Sequence, residues 1–136
     1  MSHLLKIDAS ARKGRSLTRK LTDAFVAQWL YRDPGAVVTR RDVGATPPPA
    51  VSEDWIAAAF AGENRTSEQR NQLALSDALI DEVEAADLIL IGAPMYNYGM
   101  PAALKAWFDQ IVRIDRTFTF DPGRGDKPLE PVLSGK

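Results

Sequence analysis

The chain has 136 residues, 45% apolar and 26% charged, and its 17 basic and 18 acidic side chains leave a formal net charge of −1. With no cysteine and His3 as its one imidazole, it is not a disulfide scaffold, a zinc ribbon or an enzyme with a cysteine or histidine nucleophile. The balanced charge argues against a nucleic-acid module built on a basic face. No apolar run reaches signal-peptide length or the roughly 20 residues of a membrane span, so a cytoplasmic protein is expected.

Leu4, Leu5 and Ile7 end in Asp8-Ala9-Ser10, which predicts a first strand feeding a loop over 10–15. Leu17, Leu21, Ala24, Phe25 and Trp29 recur at helical spacing, with Ser16 placed as N-cap and Asp33-Pro34-Gly35 as stop. That helix is expected to bury its apolar stripe on a sheet. Ala36-Val37-Val38-Thr39 is β-prone but runs into Arg40-Arg41-Asp42, so a second strand belongs at an edge where charge is tolerated. Pro47-Pro48-Pro49 forces an extended connection, and a weak helix over 52–60 breaks at Gly62-Glu63-Asn64.

Thr66 and Gln69 fit a capping box. Leu73, Ser76, Ile80 and Val83 continue one face of a helix that ends near Ala86. Leu88-Ile89-Leu90-Ile91 lacks alternation, the pattern of a strand covered on both faces, and it reads as the most buried strand. After a loop over 92–99, Pro101 opens a helix whose Leu104, Trp107, Phe108 and Ile111 face inward. Thr117 to Phe120 alternates as a short strand or hairpin arm, and the remainder reads as loop. Strand, helix, strand, helices, strand, helix is the grammar of an α/β doubly wound domain.

In such sheets ligands sit beyond the carboxyl ends of the strands, where the winding reverses. The loop after the first strand offers Ser10, Ser16 and Thr18 at a helix amino terminus, which suits a phosphate dianion, although Ser16 serves equally as a plain N-cap. The nearby Arg12, Lys13, Arg15, Arg19 and Lys20 are expected to be mostly solvated surface. Gly14 stands alone, without the glycine patterns of dinucleotide or nucleoside-triphosphate sites. The loop after the third strand carries Met95, Tyr96, Asn97 and Tyr98 between glycines and prolines. These side chains either stack on a planar heteroaromatic ring or pack on the protein itself.

These two loops, with Leu104-Lys105-Ala106-Trp107-Phe108-Asp109 and the Leu75-Ser76-Asp77 segment, resemble the FMN-dependent NADH:quinone oxidoreductases that also act as azoreductases. The resemblance implies a flavodoxin-like homodimer. Ser10, Ser16, Leu17 and Thr18 would hold the FMN phosphate, and Met95, Tyr96, Asn97 and Tyr98 would line the isoalloxazine. Leu17 replaces an expected polar residue, at a contact that needs only its backbone amide. The implied reaction is ping-pong: hydride passes from NADH or NADPH to flavin N5, then two electrons pass to a quinone or azo compound. The cofactor carries the chemistry, so no catalytic acid, base or metal ligand is named. Phe118 and Phe120 are candidate pocket walls, or simple strand packing. A receiver domain is disfavoured because Asp8 stands alone. A flavodoxin-type electron carrier, or an inactive fragment or non-enzymatic flavin-binding module, remains the alternative.

A flavodoxin-like sheet has order 2-1-3-4-5. Strands 2, 1 and 3 can be placed, while 4 and 5, and the serine- and glycine-rich loop that follows strand 4 in the family, have no candidate. At roughly 30 residues per strand and crossover, about 60 residues are wanting. The expectation is a single domain over 1–136, incomplete at its C-terminal end, with Leu88 to Ile91 at an open edge.

Overall fold

A central strand must bury both of its faces, and charges within it need partners there. In the computed structural model, which describes residues 1–135, β1 (His3–Asp8) is that strand. The elements that follow are α1 (Leu17–Arg32), β2 (Val37–Asp42), α2 (Glu53–Phe60), α3 (Ser67–Gln72), α4 (Ala74–Ala85), β3 (Leu88–Gly92), α5 (Ala102–Ile111), β4 (Phe118–Phe120) and β5 (Leu129–Pro131). β1 pairs in parallel with β2 on one side and β3 on the other, giving the order β2-β1-β3 with helices on both faces. The expected α/β flavodoxin-like winding is therefore present, and Arg40 and Arg41 do lie on an edge strand, where Arg41 pairs with Glu82 of α4.

Alternation along β1 separates two environments. Leu5, Ile7 and Ala9 enter the main core with Leu79, Ile80 and Val83 of α4 and Leu104, Trp107 and Ile111 of α5. Lys6 and Asp8 point to the other face, toward α1, where both are buried. Lys6 Nζ lies 3.0 Å from Asp8 Oδ2 and also pairs with Asp23, while Thr22 Oγ1 donates to Asp8 Oδ1 at 2.8 Å. Burial alone would lower the Lys6 pKa, but its bonds to Asp23 and Asp8 hold it above the ordinary lysine value.

The caps expected at Ser16 and Thr66 are present, and Ser52, read as the first residue of its helix, is that helix's cap. Ser16, Ser52 and Thr66 each accept an amide of their helix's first turn, and Thr66 with Gln69 completes the capping box. The helix expected to run on from Thr66 is instead interrupted at Leu73. Leu73 turns into a small cluster with Trp55, Ala58 and Ala59, while Leu79, Ile80 and Val83 face the main core. One straight helix could not serve both clusters. The tail is not all loop either, because β5 pairs antiparallel with β4.

Two further expectations are corrected together. β1, not β3, is the most buried strand: β3 is an edge, and Ile91 is 37% exposed. The apolar stripe of α1 is not buried either, since Leu17 and Leu21 are 70% and 61% exposed and the buried positions are Thr22 and Val26. Both follow from a three-stranded sheet. α1 overhangs the free edge of β3, leaving an open groove of about 430 Å³ between Leu21, Phe25, Leu90 and Ile91. No helix among the described residues is long and apolar enough to cross a membrane.

Arg19 locks the start of α1 to the end of β2. Its guanidinium makes a two-pronged pair with Asp42, at 2.6 and 2.8 Å, and holds that carboxyl below its ordinary pKa. Arg19→Met is expected to lower the unfolding free energy at pH 7 by about 2 kcal/mol. Because the native pKa of Asp42 is depressed, this stabilisation is complete above the usual carboxylate value of about 4 and is lost as pH falls through the depressed one. Urea unfolding of both proteins should therefore show the gap narrowing as pH falls below about 4; a gap independent of pH would assign the loss to packing instead.

Candidate functional site

The loop over 9–16 leaves the carboxyl end of β1 and is held from three sides. Ala9 N donates to Gly92 O at 3.0 Å, tying it to the end of β3. Arg19 donates from Nε to Arg12 O at 2.8 Å and from its terminal nitrogen to Ser10 O at 2.7 Å. Gly44, after β2, presses so closely that a Cβ there would lie 2.0 Å from Ser10 O, so only glycine fits. Ser10 is itself buried, and its Oγ closes a small turn by accepting Arg12 N at 3.2 Å.

At the loop's far end Ser16 Oγ accepts Arg19 N and shares a 3.2 Å bond with Thr18 Oγ1. The plain N-cap role is thus real. It leaves the amides of Leu17 and Thr18, the first two of α1, with no protein acceptor among the described residues. Two free amides, the Ser16 and Thr18 hydroxyls and the positive end of a 16-residue helix make an anion cradle. The exposed side chain of Leu17 does not obstruct it.

The second loop leaves β3 beside the first. Tyr96 and Gly99 exchange two backbone bonds, 2.9 and 3.0 Å, around Asn97 and Tyr98, whose φ angles are +50° and +63°. This is the turn with two left-handed central residues that joins hairpin strands. Asparagine tolerates it, whereas a tyrosine in that region costs about 1–3 kcal/mol. The strained tyrosine packs on little of the protein, for Tyr98 is 95% exposed and Met95 71%. Asn97 makes no side-chain hydrogen bond among the described residues, so its amide is free to recognise a polar ring edge. Met95, Asn97 and Tyr98 thus do not pack inward on the protein.

The fourth member, Tyr96, bridges the loops. Its hydroxyl accepts Ala11 N–H at 3.1 Å. That bond, with Ser10 and the nearby charges of Arg12 and Arg19, lowers its pKa from the ordinary tyrosine value. Of the eight residues expected at a cofactor site, Ser10, Ser16, Met95, Tyr96, Asn97 and Tyr98 therefore lie on two adjoining loops at one end of the sheet, and Leu17 and Thr18 open the helix that follows the first. Phe118 and Phe120 lie outside these two loops. They ride on the β4–β5 hairpin after α5, and no hydrogen bond links that hairpin to either loop among the described residues.

Arg19 and Gly44 were not singled out for a site, and Arg19 is largely buried rather than solvated surface. The signal for Arg19 was available in the pairing of a basic residue in the first turn of the helix with an aspartate closing the second strand. Among the described residues no cluster of histidine or carboxylate groups could hold a metal ion.

A family model described as flavodoxin-like fold matches residues 2–136. The FMN-dependent NADH:quinone oxidoreductase 2 of Colwellia psychrerythraea is 51% identical over 144 aligned positions, which take in 100% of this chain and 66% of the relative. The protein of the same name from Idiomarina loihiensis is 52% identical over 144 positions, with 100% and 60% covered. The crystal structure of an azoreductase from Bacillus anthracis superimposes with a TM-score of 0.85 at 26% identity, covering 100% of this chain and 65% of that one. The chain thus spans between 60% and 66% of the length of these relatives. A family match over nearly all its residues and a parallel β2-β1-β3 sheet clad by helices on both faces establish that the chain belongs to the flavodoxin-like fold family.

Proposed function

We propose that the two loops hold FMN, in an oxidoreductase that passes two electrons from NADH or NADPH to quinones and azo compounds. The observation that carries this reading is the juxtaposition of an anion cradle with an open aromatic and thioether surface, on loops tied together by the Ala9–Gly92 and Ala11–Tyr96 bonds. A phosphate and a planar ring joined by a short polar chain is the ligand such a pair fits, and the names of the relatives point the same way.

In this reading the Leu17 and Thr18 amides and the Ser16 and Thr18 hydroxyls take the phosphate, with Ser10 shaping the loop beneath it. Met95, Tyr96, Asn97 and Tyr98 orient the ring and exclude water from one side of it. Bound flavin supplies the two-electron chemistry that no side chain here can provide. Donor and acceptor occupy the open side in turn, the ping-pong order, and the exposed Arg12, Lys13 and Arg15 attract the donor's phosphates. A second copy of the chain closes the pocket in the same proposal, with Phe118 and Phe120 as walls; the support is that Phe120 is half exposed on its hairpin.

In the same proposal the chain is one domain, and a further strand pairs at the free edge of β3. The free edge and the groove beside α1 are the shape that a further parallel strand and helix would fill. Two proteins test function and completeness together: the 136-residue chain, and the same chain extended by the remaining third of the Colwellia relative. The extended protein, loaded with FMN, is expected to oxidise NADH when a quinone is present and to bind FMN more tightly than the 136-residue chain. FMN binding without turnover would favour the electron-carrier reading, and no FMN binding by either protein would contradict the proposal.

Tyr98 supplies a separate check, since its strain is worth having only if the exposed ring serves a ligand. Tyr98→Gly is expected to raise stability by about 1 kcal/mol by relieving the left-handed backbone, while weakening FMN binding severalfold. Thermal unfolding without ligand and titration of flavin fluorescence measure the two effects. Unchanged FMN affinity would remove Tyr98 from the site.

A further inference from the structure

Tyr96 differs from its neighbours in the second loop. Met95 and Tyr98 are open to solvent, but the Tyr96 side chain reaches back to the first loop, 85 residues earlier in the chain, and its hydroxyl accepts the Ala11 amide. Its backbone cannot drift, because both of its polar groups are bonded to Gly99. The segment it grips is the exposed stretch 11–15 between buried Ser10 and buried Ser16. Arg19 and Gly44 hold the Ser10 end, Arg19 and Ser10 also bond Arg12, and the Ser16 cap holds the other end. On Ala11 itself, the amide's bond is to Tyr96.

We infer that Tyr96 is a positioning residue whose hydroxyl sets the phosphate loop, so that it selects phosphorylated flavin over riboflavin rather than serving only as a wall for the ring. The inference rests on the flavin reading above. A tyrosine hydroxyl that has accepted one N–H keeps its own proton to donate. Removing the oxygen leaves the Ala11 amide without its protein acceptor and loosens the loop at Ala11. The ring surface is unaltered, because phenylalanine presents the same face. Loss of the hydroxyl should therefore be felt by the ligand that uses the loop and not by the ligand that uses only the ring.

The experiment compares wild type, Tyr96→Phe and Tyr96→Leu, titrating each with FMN and with riboflavin by flavin fluorescence and following amide exchange at Ala11. Wild type is expected to prefer FMN. Tyr96→Phe should weaken FMN about tenfold, leave riboflavin within about twofold and lose protection at Ala11; Tyr96→Leu should weaken both flavins. Equal weakening of the two flavins in Tyr96→Phe, or no weakening of either, would overturn the inference while leaving the flavin site intact. Wild-type protein that binds neither flavin would overturn the flavin reading and this inference with it.

Discussion

Because β1 pairs in parallel with both β2 and β3, all three strands end at one edge of the sheet, and the loops that follow them begin there side by side. The local features of the site follow from that constraint. Asp8 and Gly92 finish in register, so the loop after β1 can bond directly to the end of β3 through Ala9. Asp42 finishes opposite Asp8, within reach of Arg19 in the first turn of α1. An antiparallel partner on either side would send one of these loops to the opposite end of the sheet. The cradle and the aromatic surface would then be separated by the length of a strand.

Parallel pairing also explains where the molecule is open. A parallel edge exposes a row of unpaired backbone groups, and strands of this kind are ordinarily covered on both faces. Among the described residues β3 has a parallel neighbour on one side alone, and the exposed flank of α1 lies above its free edge. Ile91, Leu21 and Phe25 are consequently uncovered, although their sequence pattern is that of buried positions. The polar side of α1 shows the complementary effect: Lys6 and Asp8 lie buried in the middle strand, paired with each other and met there by Asp23, Thr22 and Arg19.

Much of this was legible in the residues. Capping is a local interaction, so Ser16 and Thr66 could be placed from spacing alone. Arg40 and Arg41 marked an edge strand because charge is costly in a strand buried on both faces. The two loops stood out because glycine, proline and adjacent aromatics interrupt the periodic pattern. What escaped depends on partners distant in sequence. The break at Leu73 arises because two clusters demand different directions from one amphipathic stretch. Leu129-Glu130-Pro131 shows no strand alternation and is ordered by pairing with Phe118 to Phe120. The Tyr96 to Gly99 turn carries Asn-Tyr where Asn-Gly is the usual signal. The grip of Tyr96 on Ala11 has no local signature at all.

The central claim is that one ligand engages both loops at once. Amide chemical-shift mapping of the protein during a titration with FMN tests it most directly. The account predicts that shifts over Ala11 to Thr18 and over Met95 to Gly99 move together and saturate along a single binding curve. Shifts confined to one loop, or two loops that follow different curves, would contradict it.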